Sequence, residues 1–144
     1  MNPRIVEREE DLAAIVRAMR VVAVVGVKGD DRPDEAAYTL PAMYAGEGID
    51  VIGINPTIPT ALGRPTLPGI ASLPAGVDVL NVFRRSEEVP AIADEVLALP
   101  PERRPGTVWL QTGIRHDPAA KKLAAAGICV VQDHCLGVYV RRYT

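Results

Sequence analysis

The sequence predicts an α/β fold in which a five-stranded, mostly parallel sheet lies between two layers of helices. Short apolar runs alternate with longer amphipathic segments along the 144 residues, a pattern typical of repeated strand–helix–strand units. The run Val21–Val25 ends at Gly26 and a polar loop, as a buried parallel strand does before it passes into a helix. With 48% hydrophobic and 24% charged residues the composition is globular, and the length suits a single domain over residues 1–144.

Elements in the first half of the chain are marked by prolines, glycines and changes in apolar spacing. Proline suits the first turn of a helix, whereas a proline inside a helix removes one backbone donor. In chain order, these signals predict a helix from Asn2 and Pro3 to about Met19, the strand Val21–Val25, a helix from near Asp34 to Ala45 that contains Pro41, and the strand Val51–Ile54.

The second half of the chain continues the same alternation. In chain order, caps and glycines predict the strand Val77–Phe83, a helix from about Glu87 to Leu99 capped by Ser86, the strand Thr107–Leu110, a helix from Asp117 and Pro118 to about Ala126 followed by Gly127, the strand Ile128–Val131, and a short strand at Val138–Val140. Right-handed crossovers then predict a three-layer sandwich with strand order 3-2-1-4-5. Ligands of such sheets bind outside the carboxyl ends of the strands at the switch point, here between the first and fourth strands.

Charge and cysteine content argue against several functional classes. A net charge of −2 is unfavourable for nucleic-acid binding, and no run approaches the roughly 18 apolar residues of a membrane span. The charged N-terminus is unlike a signal peptide, and Cys129 and Cys135 have neither disulfide-framework nor zinc-ligand spacing, so we expect a reducing, cytoplasmic setting. His116 and His134 have no nucleophile or metal partner at diagnostic spacing, and we identify no catalytic residues and no metal site.

Basic residues cluster in the loops that follow the predicted strands. Although the chain is slightly acidic, these loops contain Lys28, Arg32, Arg84, Arg85 and Arg115. A guanidinium group binds two phosphate oxygens at once, and the amides of a helix N-terminus add fixed hydrogen-bond donors. The loops therefore predict a phosphate site, although acidic neighbours would also explain Lys28 and Arg32 as surface ion pairs.

The glycine pattern differs from that of a dinucleotide site. A G-x-G-x-x-G motif beginning at Gly26 needs glycine at two positions that hold Lys28 and Asp31. The second strand is followed by Asn55 and Pro56, where NAD-binding folds normally carry an acidic residue for the ribose. Gly26 allows a close backbone approach, either for a ligand or for a tight turn. Pro56 is either a surface for a purine or a rigid exit from the strand.

Other strand ends carry residues with two possible roles. Phe83 either flanks the same purine or belongs to the core. Gln111, Thr112 and Gly113 either line a path for a ligand or form a capping turn. Cys135 lies in the loop after the fifth strand, where it is close enough to the edge to contact a ligand.

Five segments, in this order, resemble a known family. They are VVAVVGVKGDDRP, VIGINP, DVLNVFRRS, VWLQTGIRH and VVQDHCLGVYV, and they extend from about Arg20 to the tail. The chain resembles the stand-alone CoA-binding proteins, which are similar to the CoA-binding domain of succinyl-CoA synthetase α subunits and ADP-forming acyl-CoA synthetases. The resemblance implies a Rossmann-like fold that binds coenzyme A. It does not extend to the second domain of the synthetases or to their loop with a phosphorylated histidine, so it implies recognition without ligation.

The resemblance also implies a role for residues at each strand end. Thr57 stands where many relatives carry a basic residue, which leaves Arg64 or Arg85 as candidates for holding the 3′-phosphate. By resemblance, Gly26, Val27, Lys28 and Arg32 meet the CoA phosphates, Asn55 and Pro56 frame the adenosine with Phe83 and Arg84 beside it, and Gln111, Thr112, Gly113 and Ile114 lie near the pantetheine.

Three functions remain open at this point. The first is binding of CoA or an acyl-CoA without catalysis, as a carrier, a sensor or a partner of an acyl-CoA enzyme. The second is an NAD(P)-binding oxidoreductase or nucleotide sensor, which the broken glycine pattern disfavours. The third is a ligand-free flavodoxin-like interaction module, which the clustered basic loops disfavour.

Overall fold

A parallel five-stranded sheet with helices on both faces forms the centre of the molecule, as predicted. The computed structural model describes residues 4–144, so the predicted helix start at Asn2 and Pro3 lies outside the described residues. The strands of this sheet are β1 (Val21–Val25), β2 (Asp50–Ile54), β3 (Val79–Val82), β4 (Thr107–Leu110) and β5 (Cys129–Val131), and Thr60–Ala61 and Arg64–Pro65 form a separate short antiparallel pair. The helices are α1 (Glu9–Ala18), α2 (Ala36–Gly46), α3 (Val89–Ala98), α4 (Asp117–Ala125) and α5 (Leu136–Tyr143).

The strand order is β2-β1-β3-β4-β5, so the predicted order 3-2-1-4-5 is wrong. The difference arises at the outer edge of β2, which the following loop covers. The amide of Leu67 donates to the Gly53 carbonyl at 2.9 Å, and the amide of Asn55 donates to the Leu67 carbonyl at 3.0 Å. β3 therefore pairs with the free edge of β1, beginning at Val22 and Val79. The switch point lies between β1 and β3 rather than between the first and fourth strands.

Apolar residues alternate between the two faces of the sheet, although the strands are apolar on both sides. In β1, Val22 and Val24 belong to the core cluster formed with α1, α2 and α5. Ala23 and Val25 belong to the cluster formed with α3 and α4. Side chains in a strand point to opposite faces in turn, and a sheet covered on both faces favours apolar residues along the whole strand.

Both chain ends differ from the prediction. The predicted first helix begins only at Glu9, because the residues before it lie extended beside β5: the amide of Val6 donates to the Val130 carbonyl at 2.7 Å. This N-terminal segment covers the outer edge of β5. The predicted strand Val138–Val140 is also wrong, since these residues lie in α5.

The starts of α3 and α4 were predicted more accurately in position than in the identity of the capping residue. Ser86 does not cap a helix, because its Oγ accepts from the amide of Arg115 at 3.0 Å and α3 begins at Val89 after a short 3₁₀ turn. α4 is capped by His116, whose Nδ1 accepts from the amide of Ala119. No helix within residues 4–144 has the length and apolar character to span a membrane.

The substitution Leu80→Ala tests the packing of the central strand. The Leu80 side chain is 0% exposed in β3, which lies in the middle of the sheet, so its truncation leaves a cavity. We expect the free energy of unfolding in urea to fall by about 2–5 kcal/mol. Val138→Ala is the control, because Val138 is 45% exposed and its truncation should change stability by less than about 0.5 kcal/mol. Equal losses in the two variants would contradict the assigned core.

Candidate functional site

A cleft of about 660 Å³, here called the main cleft, opens at the carboxyl edge of the sheet. It lies between the first turn of α2 and the loops that follow β3, β4 and β5. Its volume is in the range of small-molecule sites, about 300–1,000 Å³. Residues predicted for ligand binding supply much of its lining: Phe83, Arg84, Arg85, Gln111, Thr112, Gly113 and Ile114.

The other predicted residues are distributed over neighbouring depressions. Gly26 and Pro56 line a second cleft of about 420 Å³, and Arg84 lines both this cleft and the main cleft. Lys28, Arg32 and Asn55 line a smaller hollow of about 160 Å³, here called the basic depression. The structure thus brings the predicted residues to one edge, and Arg84, together with Glu87, lies between the two larger clefts. The side chain of Val27 is an exception, because it is fully buried in the core.

The turn after β1 passes unusually close to the end of β3. Gly26 has a φ of +86°, and a Cβ at this position would lie 2.9 Å from the Phe83 carbonyl oxygen. Its amide donates to the Ile54 carbonyl at 3.1 Å. Glycine is therefore required both by the left-handed backbone and by the lack of space. This close approach brings the loops after β1 and β3 together at the switch point.

Asn55 joins two of the loops. Its Nδ2 donates to the Val27 carbonyl at 2.9 Å, and its Oδ1 accepts from the amide and the hydroxyl of Thr57, both at 2.8 Å. These bonds hold the loop after β1 against the loop after β2. The predicted contact between Asn55 and a ligand remains a prediction.

Basic side chains at the edge are paired with carboxylates. Arg84 Nε lies 3.2 Å from Glu88 Oε1, and Arg32 Nη1 lies 3.1 Å from Glu35 Oε1. The same holds for the pairs Lys28–Glu35, Arg85–Glu87 and Arg115–Asp117. The surface ion pairs expected as the alternative explanation of Lys28 and Arg32 are therefore present. Such exposed pairs add little stability, so an anionic ligand can replace the carboxylates.

Neighbouring side chains lower the pKa values of two carboxyl groups at the edge, Glu88 and Asp117. The hydrogen bond from Arg84 lowers the pKa of Glu88. The pKa of Asp117 is also lowered, first by a hydrogen bond from Gln132 and then by the charge of Arg115. Both carboxylates remain ionised near neutral pH and compete with a ligand anion for the arginines.

The loop after β4 is held from within the core. Gln111 is 6% exposed, and its Oε1 accepts from the amide of Leu136 at 2.9 Å. Its Nε2 lies 3.6 Å from Cys135 Sγ, and both residues line the main cleft. The amide of Gly113 donates to Asp133 Oδ1 at 2.6 Å, which ties this loop to the one after β5. The floor of the main cleft is therefore ordered by hydrogen bonds within the protein.

Sequence reasoning missed one wall and misjudged one arginine. The first turn of α2 lines the main cleft with Ala36, Ala37 and Leu40, and its only signal was the apolar spacing of these residues. Arg64, a candidate for the 3′-phosphate, instead pairs with Asp50 at the beginning of β2, away from the carboxyl edge.

The arrangement suits a ligand with a flexible, partly apolar portion and an anionic portion. The main cleft joins an apolar helix wall to polar loops, and basic side chains lie along its border. In the described part of the chain, no group of three or more His, Cys, Asp or Glu side chains is positioned to hold a metal ion.

Comparison with known proteins agrees with this chemistry. A family model described as a CoA binding domain matches residues 20–141. The chain belongs to this CoA-binding domain family. The match extends from just before β1 into α5, which fits the stand-alone form that the sequence resembles.

Relatives of this CoA-binding domain cover almost the same length. The chain is 33% identical to the uncharacterised protein YneT of Bacillus subtilis (strain 168), over 89% of this chain and 90% of that protein. The structure of cell-free ID.343 from Thermus thermophilus is 34% identical, with a TM-score of 0.85 over 96% of this chain and 100% of that one. A hypothetical protein from Pyrococcus horikoshii OT3 shares the fold, with a TM-score of 0.84 and 22% identity over 99% of this chain and 98% of that one.

Gly26→Ala tests the close approach at the switch point. Gly48 is a matched control, because its φ of +84° is similar but a Cβ there meets no atom within 4 Å. We expect Gly48→Ala to lower the free energy of unfolding by about 1–2 kcal/mol from backbone strain. Gly26→Ala should lose about 1 kcal/mol or more beyond this, from the contact with Phe83. Equal losses in urea unfolding would show that the two loops do not press together.

The pKa of Glu88 tests the Arg84–Glu88 pair in solution. In Arg84→Ala the pKa of Glu88 should rise toward its ordinary value of 4.5, because the hydrogen bond that lowers it is lost. Since this pKa is lowered by folding, the pair stabilises the fold at neutral pH, and that contribution disappears as the pH falls through the folded pKa. Carboxyl-detected NMR titration of wild type and Arg84→Ala measures the pKa of Glu88 in each protein, with Asp117 as the internal reference. An unchanged Glu88 pKa would mean that the pair does not form in solution.

Proposed function

We propose that this protein binds coenzyme A or an acyl-CoA at the carboxyl edge of its sheet and does not itself catalyse ligation. The observation that carries the proposal is the main cleft: it joins an apolar wall to basic side chains at the switch point of a CoA-binding domain. CoA has matching parts, since a flexible pantetheine arm extends from a nucleotide with several phosphate charges.

The nucleotide half is assigned to the basic side of the edge. Arg84 holds a phosphate between the two larger clefts, and Lys28 and Arg32 hold others from the basic depression. Each of these side chains exchanges a carboxylate for a phosphate, which offers a bidentate partner of higher charge. The side chains therefore face the edge already, and binding only replaces their partners.

The pantetheine arm is assigned to the main cleft. Gln111, Thr112 and Gly113 form the polar side of this cleft, with Ile114 beside them, and the first turn of α2 forms the apolar side. An arm that contains both amides and methylene groups suits these two unlike walls. The N-terminus of α2 adds a partial positive charge beside the phosphates.

Binding without turnover agrees with the contacts of the two histidines. His116 caps α4 through Nδ1, and the ring of His134 packs against Tyr139. Neither residue lines the main cleft. We therefore assign the protein a carrier, sensor or partner role beside an acyl-CoA enzyme in the cytoplasm.

Titration calorimetry of ligand-stripped protein tests the ligand class. CoA, 3′-dephospho-CoA, NAD and NADP are compared at one salt concentration, because phosphate contacts are screened by salt. We expect CoA to bind more tightly than 3′-dephospho-CoA and NAD to bind very weakly. Binding of NAD but not CoA would favour a nicotinamide nucleotide, and no binding at all would favour an interaction module.

Arg84→Ala tests the assigned phosphate contact. Loss of a charge-assisted hydrogen bond should raise the Kd for CoA by about 10- to 100-fold. Arg64→Ala is the matched control, because Arg64 is a similarly exposed arginine whose ion-pair partner, Asp50, lies at the beginning of β2, away from the carboxyl edge. An equal effect of the two substitutions, or none from Arg84→Ala, would place the phosphates elsewhere.

A further inference from the structure

Asn81 is a polar residue in the middle of an apolar strand. It lies in β3 between Leu80 and Val82, and its side chain is 0% exposed. Its Oδ1 accepts from the Tyr44 hydroxyl at 2.8 Å. Its Nδ2 donates to Gln111 Oε1 at 2.9 Å and to the Trp109 carbonyl at 3.2 Å. Both ends of the amide are thus satisfied within the core.

This chain of hydrogen bonds ends at the main cleft. Gln111 Oε1 receives a second hydrogen bond from the amide of Leu136, at the start of α5. The other end of the chain is Tyr44, on α2, whose first turn forms the apolar wall of the same cleft. Asn81 is therefore bonded to α2 through Tyr44 and, through Gln111, to the loop after β4 and the beginning of α5.

Stability alone does not account for a polar residue at this position. The neighbouring β3 residues that pack into the core are valine and leucine, and an apolar side chain of similar size would fill the same space. Buried polar networks that are fully satisfied act by selecting one arrangement of the groups around them. The group that Asn81 orients is Gln111, whose Oε1 accepts from both Asn81 Nδ2 and the amide of Leu136.

We propose that Asn81 is a positioning residue for the main cleft, which holds Gln111 in the orientation that receives the amide-bearing arm of a CoA-type ligand. The inference rests on the proposed function. Asn81 does not touch the ligand; it acts through Gln111 and the loop that Gln111 begins. Without Asn81, the Gln111 side chain must be ordered when the ligand binds, which weakens binding by about 3- to 10-fold.

The test separates the two halves of the ligand. CoA and adenosine 3′,5′-bisphosphate, which lacks the pantetheine arm, are titrated into each variant, with competition against CoA where the bisphosphate binds weakly. Asn81→Leu leaves the Tyr44 hydroxyl buried without its acceptor, so the double variant Tyr44→Phe/Asn81→Leu is made as well, because removal of both partners is better tolerated. Urea unfolding verifies that each variant is folded, and either one that is folded gives the result.

The expected result is a Kd for CoA raised about 3- to 10-fold and an unchanged Kd for the bisphosphate. Tyr44→Phe alone is the control, because it keeps the bond between Asn81 and Gln111, and its CoA affinity should stay within about twofold of wild type. Equal weakening of both ligands, or no change in either, overturns the positioning role. A wild-type protein that does not bind CoA overturns the proposed function first, and this inference with it.

Discussion

The parallel pairing of β3 with β1 determines where a ligand can approach this sheet. Because the loop after β2 closes the outer edge of that strand at Leu67, β3 returns on the other side of β1. The chain therefore passes from β1 to α2 on one face of the sheet and from β3 to α3 on the other face. Ligands of such sheets bind in the crevice between α2 and α3, and Gly26 makes this crevice narrow by allowing the turn after β1 to approach Phe83.

Charge at this edge is balanced before any ligand binds. Glu35 and Glu88 keep Arg32 and Arg84 at the border of the clefts, and the slightly acidic chain has no general attraction for anions. A ligand gains only the difference between its phosphates and these carboxylates. Anions with a single charge gain little from the exchange, whereas a nucleotide with several phosphates gains at each arginine. Paired arginines thus favour multiply charged ligands over simple anions.

Much of the fold could be predicted because buried parallel strands are continuous apolar runs, such as Val21–Val25. The strand order could not, since it depends on two hydrogen bonds of Leu67, one donated to Gly53 and one accepted from Asn55, and Leu67 lies in a loop without periodicity. The residues that follow β3 and β4 in the sequence predicted the lining of the main cleft on these two sides. The sequence did not indicate that Ala36 and Leu40 line the cleft, because the tilt of a helix over a sheet edge depends on packing.

Asn81 was overlooked for a related reason: a single polar residue in an apolar run has no local meaning until its partners are known. Its contacts with Tyr44 and Gln111 span 37 and 30 residues of sequence, so no local pattern could identify them. A core made only of valine and leucine would tolerate small shifts of the Gln111 side chain, since dispersion contacts have little direction. Hydrogen bonds restrict those shifts to one geometry. A cleft whose walls belong to separate elements needs such a restriction, and the buried amide supplies it where the ligand itself makes no contact.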